Sequence, residues 1–390
     1  MGFTIQQAFT KFKDSYLAKY NPSYEQLKAM NNIIVCRTEK LGTRIYKCET
    51  CGQMIFSYDS CKDRHCPNCQ NYKKEKWIDN HQDDIFNTPY FHVVTTVPVE
   101  LHEIFYHNKQ EMYNLLFKAS TETIIELSKD KKYLGVKVGI TAMLHTWSQT
   151  ANYHPHIHMI VTGGGINDLG EYVYSKEDFF LPVKVISRVF RGKLLSFIKS
   201  SKNLKFYNNL ENLNNKKKLN DYLRPLYEKE WVCYCKEPFK NVKETYNYLA
   251  RYAFRVCMTN DRIENITDTH VTFKYRDRKD HSKTKTMTIK GEEFIRKFLL
   301  HVLPKGFSKV RYYGIIAGKG KKERIKKLKI LTRTALQKIS KRTKLEILNS
   351  IIGKVVTKCK CGGELILIET KRYKPPPQNF TTKLLHMNEA

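Results

Sequence analysis

The chain of 390 residues lacks any long apolar run, and none approaches the roughly 20 residues that a membrane-spanning helix requires. Its N-terminus lacks the cationic segment followed by an apolar segment that marks a secretory signal. Gln6 stands where an N-myristoylation motif needs Ser or Thr. We therefore expect a cytoplasmic protein. In this reducing compartment, clustered cysteines are expected to bind metal rather than form disulfides.

Acidic residues are also scarce: 38 Asp and Glu stand against 69 Lys and Arg, which gives a formal net charge of +31. An excess of positive charge of this size is typical of a protein that binds a polyanion, and we expect that polyanion to be nucleic acid. Hydrophobic residues make up 41% of the chain and aromatic residues 12%, enough to build a core. The length suits two or three domains of about 150 residues each.

Residues 153–165 carry the most informative pattern, because His154, His156 and His158 alternate with other residues and are followed by an apolar stretch and three glycines. Alternate side chains of a strand share a face, so the three imidazoles are expected to point the same way. Neutral imidazole is the commonest protein ligand for a divalent metal. The pattern therefore predicts a strand that presents a small metal site.

A second strand, over residues 136–147, is expected to form an antiparallel hairpin with the histidine strand through a short polar turn. In that hairpin His156 would lie across from Trp147, and His158 across from His145, give or take one register step. His145 and Gln149 are therefore both candidates for the third metal ligand. His154 is expected either to join the ligands or to support them from outside the ligand set.

Two Cys-x-x-Cys pairs, Cys48 with Cys51 and Cys66 with Cys69, are separated by fourteen residues. This spacing is typical of a zinc site in which two tight turns each present two thiolates to one tetrahedral ion. A redox-active pair is the alternative, but two copies without a βαβ context favour zinc. The four cysteines are thus predicted to hold one structural Zn²⁺.

Cys36, Cys61 and His65 are left over from this set. We expect them either to form a second zinc site, with a fourth ligand that the sequence does not identify, or to exchange roles with the first set. Near the C-terminus, Cys359 and Cys361 resemble half of a zinc knuckle without an obvious partner.

Tyr248 and Tyr252 stand one turn apart in a segment, residues 243–255, that is predicted to be helical, so they would share a face. A tyrosine phenolate can attack a phosphate that a metal on histidines orients, which leaves a covalent phosphotyrosine. The ordinary pKa of tyrosine is about 10, so the metal or nearby cations must assist its deprotonation. Two such residues can attack two phosphates in sequence.

Taken together, these motifs resemble the two-tyrosine HUH transposases of rolling-circle insertion sequences, over about residues 30–315. The motifs in order are CxxC and SCxxRHCPxC within 48–69, HTWxQ at 145–149, YHPHIH followed by GGG within 153–165, FFLPVKVISRVFRGK at 179–193, YLARYxxR at 248–255 and EEFIRKFLLHVLPKGFSKVRYYG at 292–314.

The resemblance implies an enzyme that cleaves and transfers single-stranded DNA at element ends and at a target site. It also implies a bacterial or archaeal cell, in which the protein would be associated with the nucleoid when bound to DNA. His156 and His158 would be the histidine-hydrophobic-histidine pair that binds Mg²⁺ or Mn²⁺, and Tyr248 and Tyr252 the nucleophiles. Cleavage would leave a 5′-phosphotyrosine and a free 3′-OH. Basic residues of these motifs are expected to contact the DNA: Arg188, Arg191, Lys193, Arg251 and Arg255.

The resemblance also implies an α+β fold, with a central antiparallel sheet of the HUH-endonuclease type, helices on one side and the histidine strand in its middle. We expect an N-terminal helix and zinc-binding domain over residues 1–75, with one or two Zn²⁺. A catalytic domain would follow over residues 76–315, interrupted by a Lys/Asn-rich, loosely ordered insertion at about 200–222. Residues 316–390 would form a basic C-terminal region.

Two other functions fit parts of the sequence. A histidine-triad nucleotide hydrolase has the same alternating histidines but uses a histidine nucleophile and needs neither metal nor tyrosine. A non-catalytic, zinc-dependent DNA-binding protein would account for the charge and the cysteines, and the histidines would then be structural.

Overall fold

The computed structural model describes residues 2–176, 180–236, 253–277, 280–335, 341–352 and 357–372. The predicted Tyr248, Arg251 and Tyr252 lie outside these residues. The described strands are β1 (Thr43–Cys48), β2 (Met54–Tyr58), β3 (Tyr90–Thr96), β4 (Lys137–Trp147), β5 (Tyr153–Ile166), β6 (Tyr172–Tyr174), β7 (Cys233–Lys236), β8 (Ile263–Ile266), β9 (His270–Asp277), β10 (Lys283–Lys290), β11 (Val310–Gly314) and β12 (Leu365–Lys371).

The helices found among the same residues alternate with these strands. They are α1 (Ile5–Lys19), α2 (Tyr24–Val35), α3 (Pro67–His81), α4 (His102–His107), α5 (Lys109–Lys129), α6 (Val183–Ser200), α7 (Lys216–Glu228), α8 (Gly291–Leu299), α9 (Lys321–Leu331) and α10 (Lys344–Ile352). Within the described ranges, none of them combines the length and the apolar character needed to cross a membrane.

The largest sheet has the antiparallel order β11-β4-β5-β3-β7, with β6 added to the end of β5. The histidine strand β5 lies between β4 and β3, as the resemblance implied. On one face, Ile157, Met159 and Val161 of β5 are buried in the main core with residues of α5 and α6. The expected α+β class, with antiparallel strands and helices packed on the sheet, is confirmed.

The register of the β4–β5 hairpin differs from the expected one by two residues. His145 lies opposite His156, and Met143 lies opposite His158. A bulge between His145 and Trp147 leaves one extra residue on β5, because His145 lies opposite His156 while Trp147 lies opposite Tyr153. The turn that follows closes with a hydrogen bond from the Ser148 N–H to the Asn152 carbonyl (3.0 Å). Because the displacement is an even number of residues, every side chain keeps the face that its alternation predicted.

The Lys/Asn-rich stretch is ordered, so the expectation of a loose insertion is wrong. A 3-10 helix at Asn208–Asn214 leads into α7, and Asn215 caps α7 by accepting hydrogen bonds from the N–H groups of Lys217 and Lys218. Leu219, Leu223 and Leu226 recur at helical spacing and are buried in the main core. The polar composition reflects only the exposed face of this helix.

The single N-terminal helix that the sequence predicted is two helices, because the chain turns after Tyr20 and Ser23 begins α2 with a capping box closed by Gln26. Both helices share a second core with α8 and the sheet β8–β9–β10. Phe9 of α1 makes edge contacts with Phe294 and Phe298 of α8, at ring-centroid distances of 6.5 and 5.1 Å.

The third sheet, with the order β12-β1-β2, joins residues from both ends of the described chain. Strand β12 runs antiparallel to β1, with Cys48 opposite Leu365. Arg342, just before α10, also pairs with Glu75 and Asp79 of α3 at 3.0 and 2.8 Å. The expected three-part division of the chain stays a prediction, while these contacts join the C-terminal region to the N-terminal one.

Gly291 is the point at which α8 approaches α1 most closely, because a Cβ there would lie 2.1 Å from Cγ of Phe12. We expect Gly291→Ala to lower the free energy of unfolding by about 1–3 kcal/mol, since the Phe12 ring must shift. A Cβ on Gly192, inside α6, would have no such neighbour within 4 Å. Gly192→Ala should raise stability by up to about 1 kcal/mol. Thermal unfolding of the two variants checks the pair, and equal midpoints would contradict the packing.

Candidate functional site

Strand β5 separates its side chains between two environments. Ile157 and Met159 enter the main core, so His156 and His158 point to the opposite face of the sheet. His145 comes from the neighbouring strand β4 and faces the same side, because it is paired with His156. His158 and His145 are buried, whereas His156 is partly buried.

These three histidines form a cluster that can hold a cation. Each offers a ring nitrogen, and the nitrogens all lie within 4.8 Å of one another. The ring centroids of His145 and His158 are 4.6 Å apart, and those of His156 and His158 are 4.9 Å apart. Three convergent imidazoles suit a divalent metal whose remaining coordination positions stay open to a substrate.

Hydrogen bonds determine the roles of the ring nitrogens of His156 and His158. Nδ1 of His156 lies 2.6 Å from the carbonyl oxygen of His154, which can only accept, so Nδ1 carries the proton and Nε2 the lone pair. Nδ1 of His158 lies 2.8 Å from Nε2 of His92 on β3. If His158 binds a metal through Nε2, its Nδ1–H donates to His92.

Burial favours the neutral form of His158 and of His92. Desolvation lowers the pKa of His158 well below its usual value, and electrostatic interactions with His145, His156, His92 and Arg255 lower it further. Desolvation also lowers the pKa of His92 to about 4. Neutral imidazole is the form that binds metals, so burial keeps His158 in the form that a ligand needs.

Of the candidates for the third ligand, His145 is the one that the structure groups with the strand pair. Gln149 lies in the turn after β4, where its backbone carbonyl accepts a hydrogen bond from Arg262 (2.6 Å). The ring of His154 lies edge-on to His102, with centroids 5.8 Å apart, and its carbonyl orients His156. A ligand role for Gln149 stays a prediction.

His92 is a residue of the site that the sequence did not single out. It belongs to a strand-forming run, and nothing local indicates that β3 is the neighbour of β5. The sequence shows only a histidine in a strand-forming run beside valines and threonines. That pattern is common for a histidine that faces solvent. Only the pairing of β3 with β5 shows that it orients His158.

Four cysteines near α3 form a first tetrad: Cys36, Cys61, Cys66 and Cys69. The Sγ atom of Cys69 lies 3.7 Å from that of Cys36 and 3.6 Å from that of Cys61. Hydrogen bonds from the thiols of Cys36, Cys61 and Cys66 lower the pKa of Cys69, which favours the thiolate that zinc requires. Four buried or partly buried thiols in this arrangement suit a structural Zn²⁺.

A second tetrad brings together Cys48, Cys51, Cys359 and Cys361. The Sγ atoms of Cys48 and Cys361 are 3.5 Å apart, and those of Cys51 and Cys359 are 3.7 Å apart. The pKa of Cys48 is lowered to about 6, chiefly by a hydrogen bond from the backbone N–H of Cys51. The C-terminal half knuckle therefore has a partner, and that partner is the first Cys-x-x-Cys pair.

The expected grouping of the two Cys-x-x-Cys pairs around one ion is thus wrong. Strands β1 and β2 form an antiparallel hairpin, with Thr43 opposite Tyr58 at its base and Lys47 opposite Met54 near its tip. Cys48 and Cys51 lie at the tip, whereas Cys36 and Cys61 flank the base. A strand of about six residues separates the two ends by roughly 20 Å, which no single ion can bridge.

His65 is also not a member of either cysteine tetrad. Its Nε2 atom accepts a hydrogen bond from the N–H of Leu303 at 3.4 Å. Burial lowers its pKa well below the usual value, and the charges of Arg64, Lys309, Lys109 and His301 add to that effect. Cys66 and Cys69 therefore complete the set of Cys36 and Cys61, and His65 is not part of it.

The predicted DNA-contacting residues fall on different faces. Arg255 is exposed, and its charge acts on His158. Arg188, Arg191 and Lys193 lie on α6, which packs on the face of the sheet opposite to the histidines. Lys193 there pairs with Glu126 at 2.6 Å, and Arg191 donates to the Lys229 carbonyl at 2.6 Å. These three residues lie at a distance from the histidine cluster, and their contact with DNA stays a prediction.

Comparison with known proteins gives consistent matches. A family model described as a putative transposase matches residues 139–324, and one described as a transposase zinc-binding domain matches residues 8–97. A putative transposase, y4qJ of Sinorhizobium fredii, is 37% identical over 329 residues, or 83% of each chain. The transposase for insertion sequence element IS801 of Pseudomonas savastanoi pv. phaseolicola is 23% identical over 314 residues, which cover 75% of this chain and 71% of that protein.

Neutral buried histidines make stability depend on pH. His301 bonds Thr146 and the Ala151 carbonyl, and burial lowers its pKa to about 3. Between about pH 6.5 and 4 the unfolded chain binds a proton at this residue and the folded chain does not, so stability falls by up to about 1.4 kcal/mol per pH unit as pH drops. We expect His301→Gln to reduce this slope in urea unfolding measured from pH 7 to 4.

The cysteine tetrads also lose metal in acid, but they do so equally in wild type and variant, so the difference between the two slopes isolates His301. His270→Gln is the matched control, since this partly exposed histidine lies outside the histidine cluster. An identical slope in His301→Gln and wild type would contradict the neutral, buried state of His301.

Proposed function

Because the chain belongs to the IS91 family of transposases, we propose that it cleaves and rejoins single-stranded DNA through tyrosine–DNA intermediates in rolling-circle transposition. The observation that carries the proposal is the cluster of His145, His156 and His158, with ring nitrogens within 4.8 Å of one another on one face of a rigid sheet. The net charge of +31 suits a protein whose substrate is a polyanion.

The three histidines would hold Mg²⁺ or Mn²⁺. Their chemistry fits such an ion, because the three rings are directed to one point and burial keeps His158 neutral. A bound divalent metal would supply Lewis acidity, drawing charge from an oxygen of the scissile phosphate. The protein's own contribution is to fix the rings: the His154 carbonyl orients His156, and His92 orients His158.

Tyr248 and Tyr252 would be the nucleophiles. Support comes from the residue that follows them: Ala253 is buried with Met143 and Ile160, which lie on the same face of the sheet as the histidines. Arg255 supplies a positive charge that acts on His158 and would also stabilise a phenolate or a phosphate nearby.

The proposed reaction needs no further reactant. The phenolate oxygen forms a bond to phosphorus, the bond from phosphorus to the 3′ oxygen breaks, and the released 3′ oxygen takes up a proton. A 3′-OH can then attack the phosphotyrosine in the reverse sense, which restores the phenol and joins two strands. Two tyrosines allow two such bonds to be held at once.

Replacement of both tyrosines tests the nucleophile. We expect wild-type protein to form a covalent adduct with single-stranded oligonucleotides from the ends of its element, in the presence of Mg²⁺ or Mn²⁺, on denaturing gels. Tyr248→Phe/Tyr252→Phe should form none, because phenylalanine lacks the attacking oxygen. The matched control is Tyr207→Phe, since Tyr207 is an exposed tyrosine outside the histidine cluster, at the start of the 3-10 helix before α7.

The same experiment separates the alternatives. Phosphate-ester cleavage that survives in the double variant would indicate a histidine nucleophile, as in a histidine-triad hydrolase. Absence of any adduct from wild-type protein, with varied metals and DNA sequences, would favour a non-catalytic DNA-binding protein.

A second test addresses the metal. His92→Ala should weaken Mn²⁺ binding about 10- to 100-fold, because the ring of His158 loses the partner that orients it. Titration calorimetry or electron paramagnetic resonance of free Mn²⁺ measures the affinity, and His270→Ala is the control. Unchanged Mn²⁺ affinity in His92→Ala would show that His158 needs no such support.

A further inference from the structure

We propose that Cys48, Cys51, Cys359 and Cys361 bind a second structural Zn²⁺, which fastens the C-terminal strand β12 to the N-terminal hairpin. The ligands come from opposite ends of the chain, and the C-terminal pair lies outside both matched ranges, 8–97 and 139–324. The zinc module would then be built from two separate parts of the sequence.

Both cysteine pairs lie in tight turns closed by the N–H of a glycine with positive φ, over five residues in one turn and over four in the other. At the N-terminal pair, the Gly52 N–H donates to the Cys48 carbonyl at 3.0 Å, and Gly52 has a φ of +72°. At the C-terminal pair, the Gly362 N–H donates to the Cys359 carbonyl at 3.0 Å, and Gly362 has a φ of +90°. Although its spacing is Cys-x-Cys, the second pair therefore presents its thiols as a zinc knuckle does.

The two turns are packed against each other closely enough to share an ion. The Glu49 N–H donates to the Glu364 carbonyl at 3.0 Å, next to the last pair of residues in the β1–β12 ladder. A Cβ on Gly363 would lie 2.3 Å from Oγ1 of Thr50 and 2.7 Å from Sγ of Cys48. This position accepts only glycine, and the close approach brings all four thiols together.

The sulfur separations agree with zinc rather than with disulfides. Tetrahedral Zn–S bonds of about 2.3 Å place sulfur atoms about 3.8 Å apart. The observed contacts of 3.5 Å, between Cys48 and Cys361, and 3.7 Å, between Cys51 and Cys359, are near that value. A disulfide would require about 2.05 Å.

Strand β12 has little else to hold it in place. Ile366, Leu367 and Ile368 are 47%, 54% and 51% exposed, so the strand buries little apolar surface on the hairpin. A two- or three-stranded sheet without a buried face is marginal in water. A structural zinc supplies the folding free energy that such a small element lacks.

Zinc content of the full-length protein tests the proposal. We expect mass spectrometry of metals to find one zinc per chain fewer in Cys359→Ser/Cys361→Ser than in wild type, and also one fewer in Cys48→Ser/Cys51→Ser. The quadruple variant should again lose one zinc, not two, because both pairs hold the same ion. Cys233→Ser/Cys235→Ser, which alters two cysteines outside both tetrads, should lose none.

A structural readout accompanies the count. In the Cys48→Ser/Cys51→Ser variant, amide hydrogen exchange over residues 365–371 should accelerate by more than about tenfold, although the substitutions lie more than 300 residues away in the chain. Retention of the full zinc content by either double variant, loss of two ions by the quadruple variant, or unchanged exchange in β12 would each overturn the proposal.

If a variant fails to fold, alkylation of wild-type protein gives the same answer. As a chelator removes zinc, Cys48, Cys51, Cys359 and Cys361 should become reactive to iodoacetamide in one step, separate from the step that exposes the Cys36 tetrad. Alkylation of Cys359 and Cys361 in fully zinc-loaded protein would overturn the proposal.

Discussion

The alternation of side chains along β5 is the constraint on which the candidate site depends. Its odd-numbered residues, Ile157, Met159 and Val161, are committed to the main core. Since side chains alternate strictly, the even-numbered histidines have only the opposite face available. A slip of one residue would move three apolar side chains out of the core and two imidazoles into it, so the hydrophobic core itself fixes the histidine cluster.

The zinc module contributes to the same site through α3. This helix begins at the Cys66–Cys69 pair of the first tetrad, and further along it Trp77 packs with Met143, Ile160 and Ala253 on the histidine face. Helices α1 and α2 also pack directly on α8. The N-terminal region therefore packs on the histidine face of the sheet through Trp77 of α3.

Features set by local periodicity could be predicted from the sequence. The histidine strand and its hairpin with β4 both follow from a period of two and from turn residues within a few positions. The predicted hairpin also reduced the candidates for the third metal ligand to two, His145 and Gln149. The exact register could not be predicted, because it depends on the bulge after His145 and on the length of the turn that joins the two strands.

Features that depend on which strand lies beside which were not predictable. His92 becomes part of the site only through the pairing of β3 with β5. The predicted grouping of the cysteines is wrong because the spacing of two cysteines indicates only that their thiols share a turn. It does not indicate which other turn lies opposite. In α7, the many Lys and Asn residues obscure a leucine stripe that the core requires.

The β12-β1-β2 sheet also has a consequence for biosynthesis. The ribosome completes the β1–β2 hairpin about 300 residues before β12, which at roughly 5–20 residues per second is an interval of about 15 to 60 seconds. During that time the nascent hairpin has an unpaired edge at β1, the strand that β12 later covers. A chain whose translation stops early never acquires this third strand, so only a transposase translated through β12 can assume the complete fold.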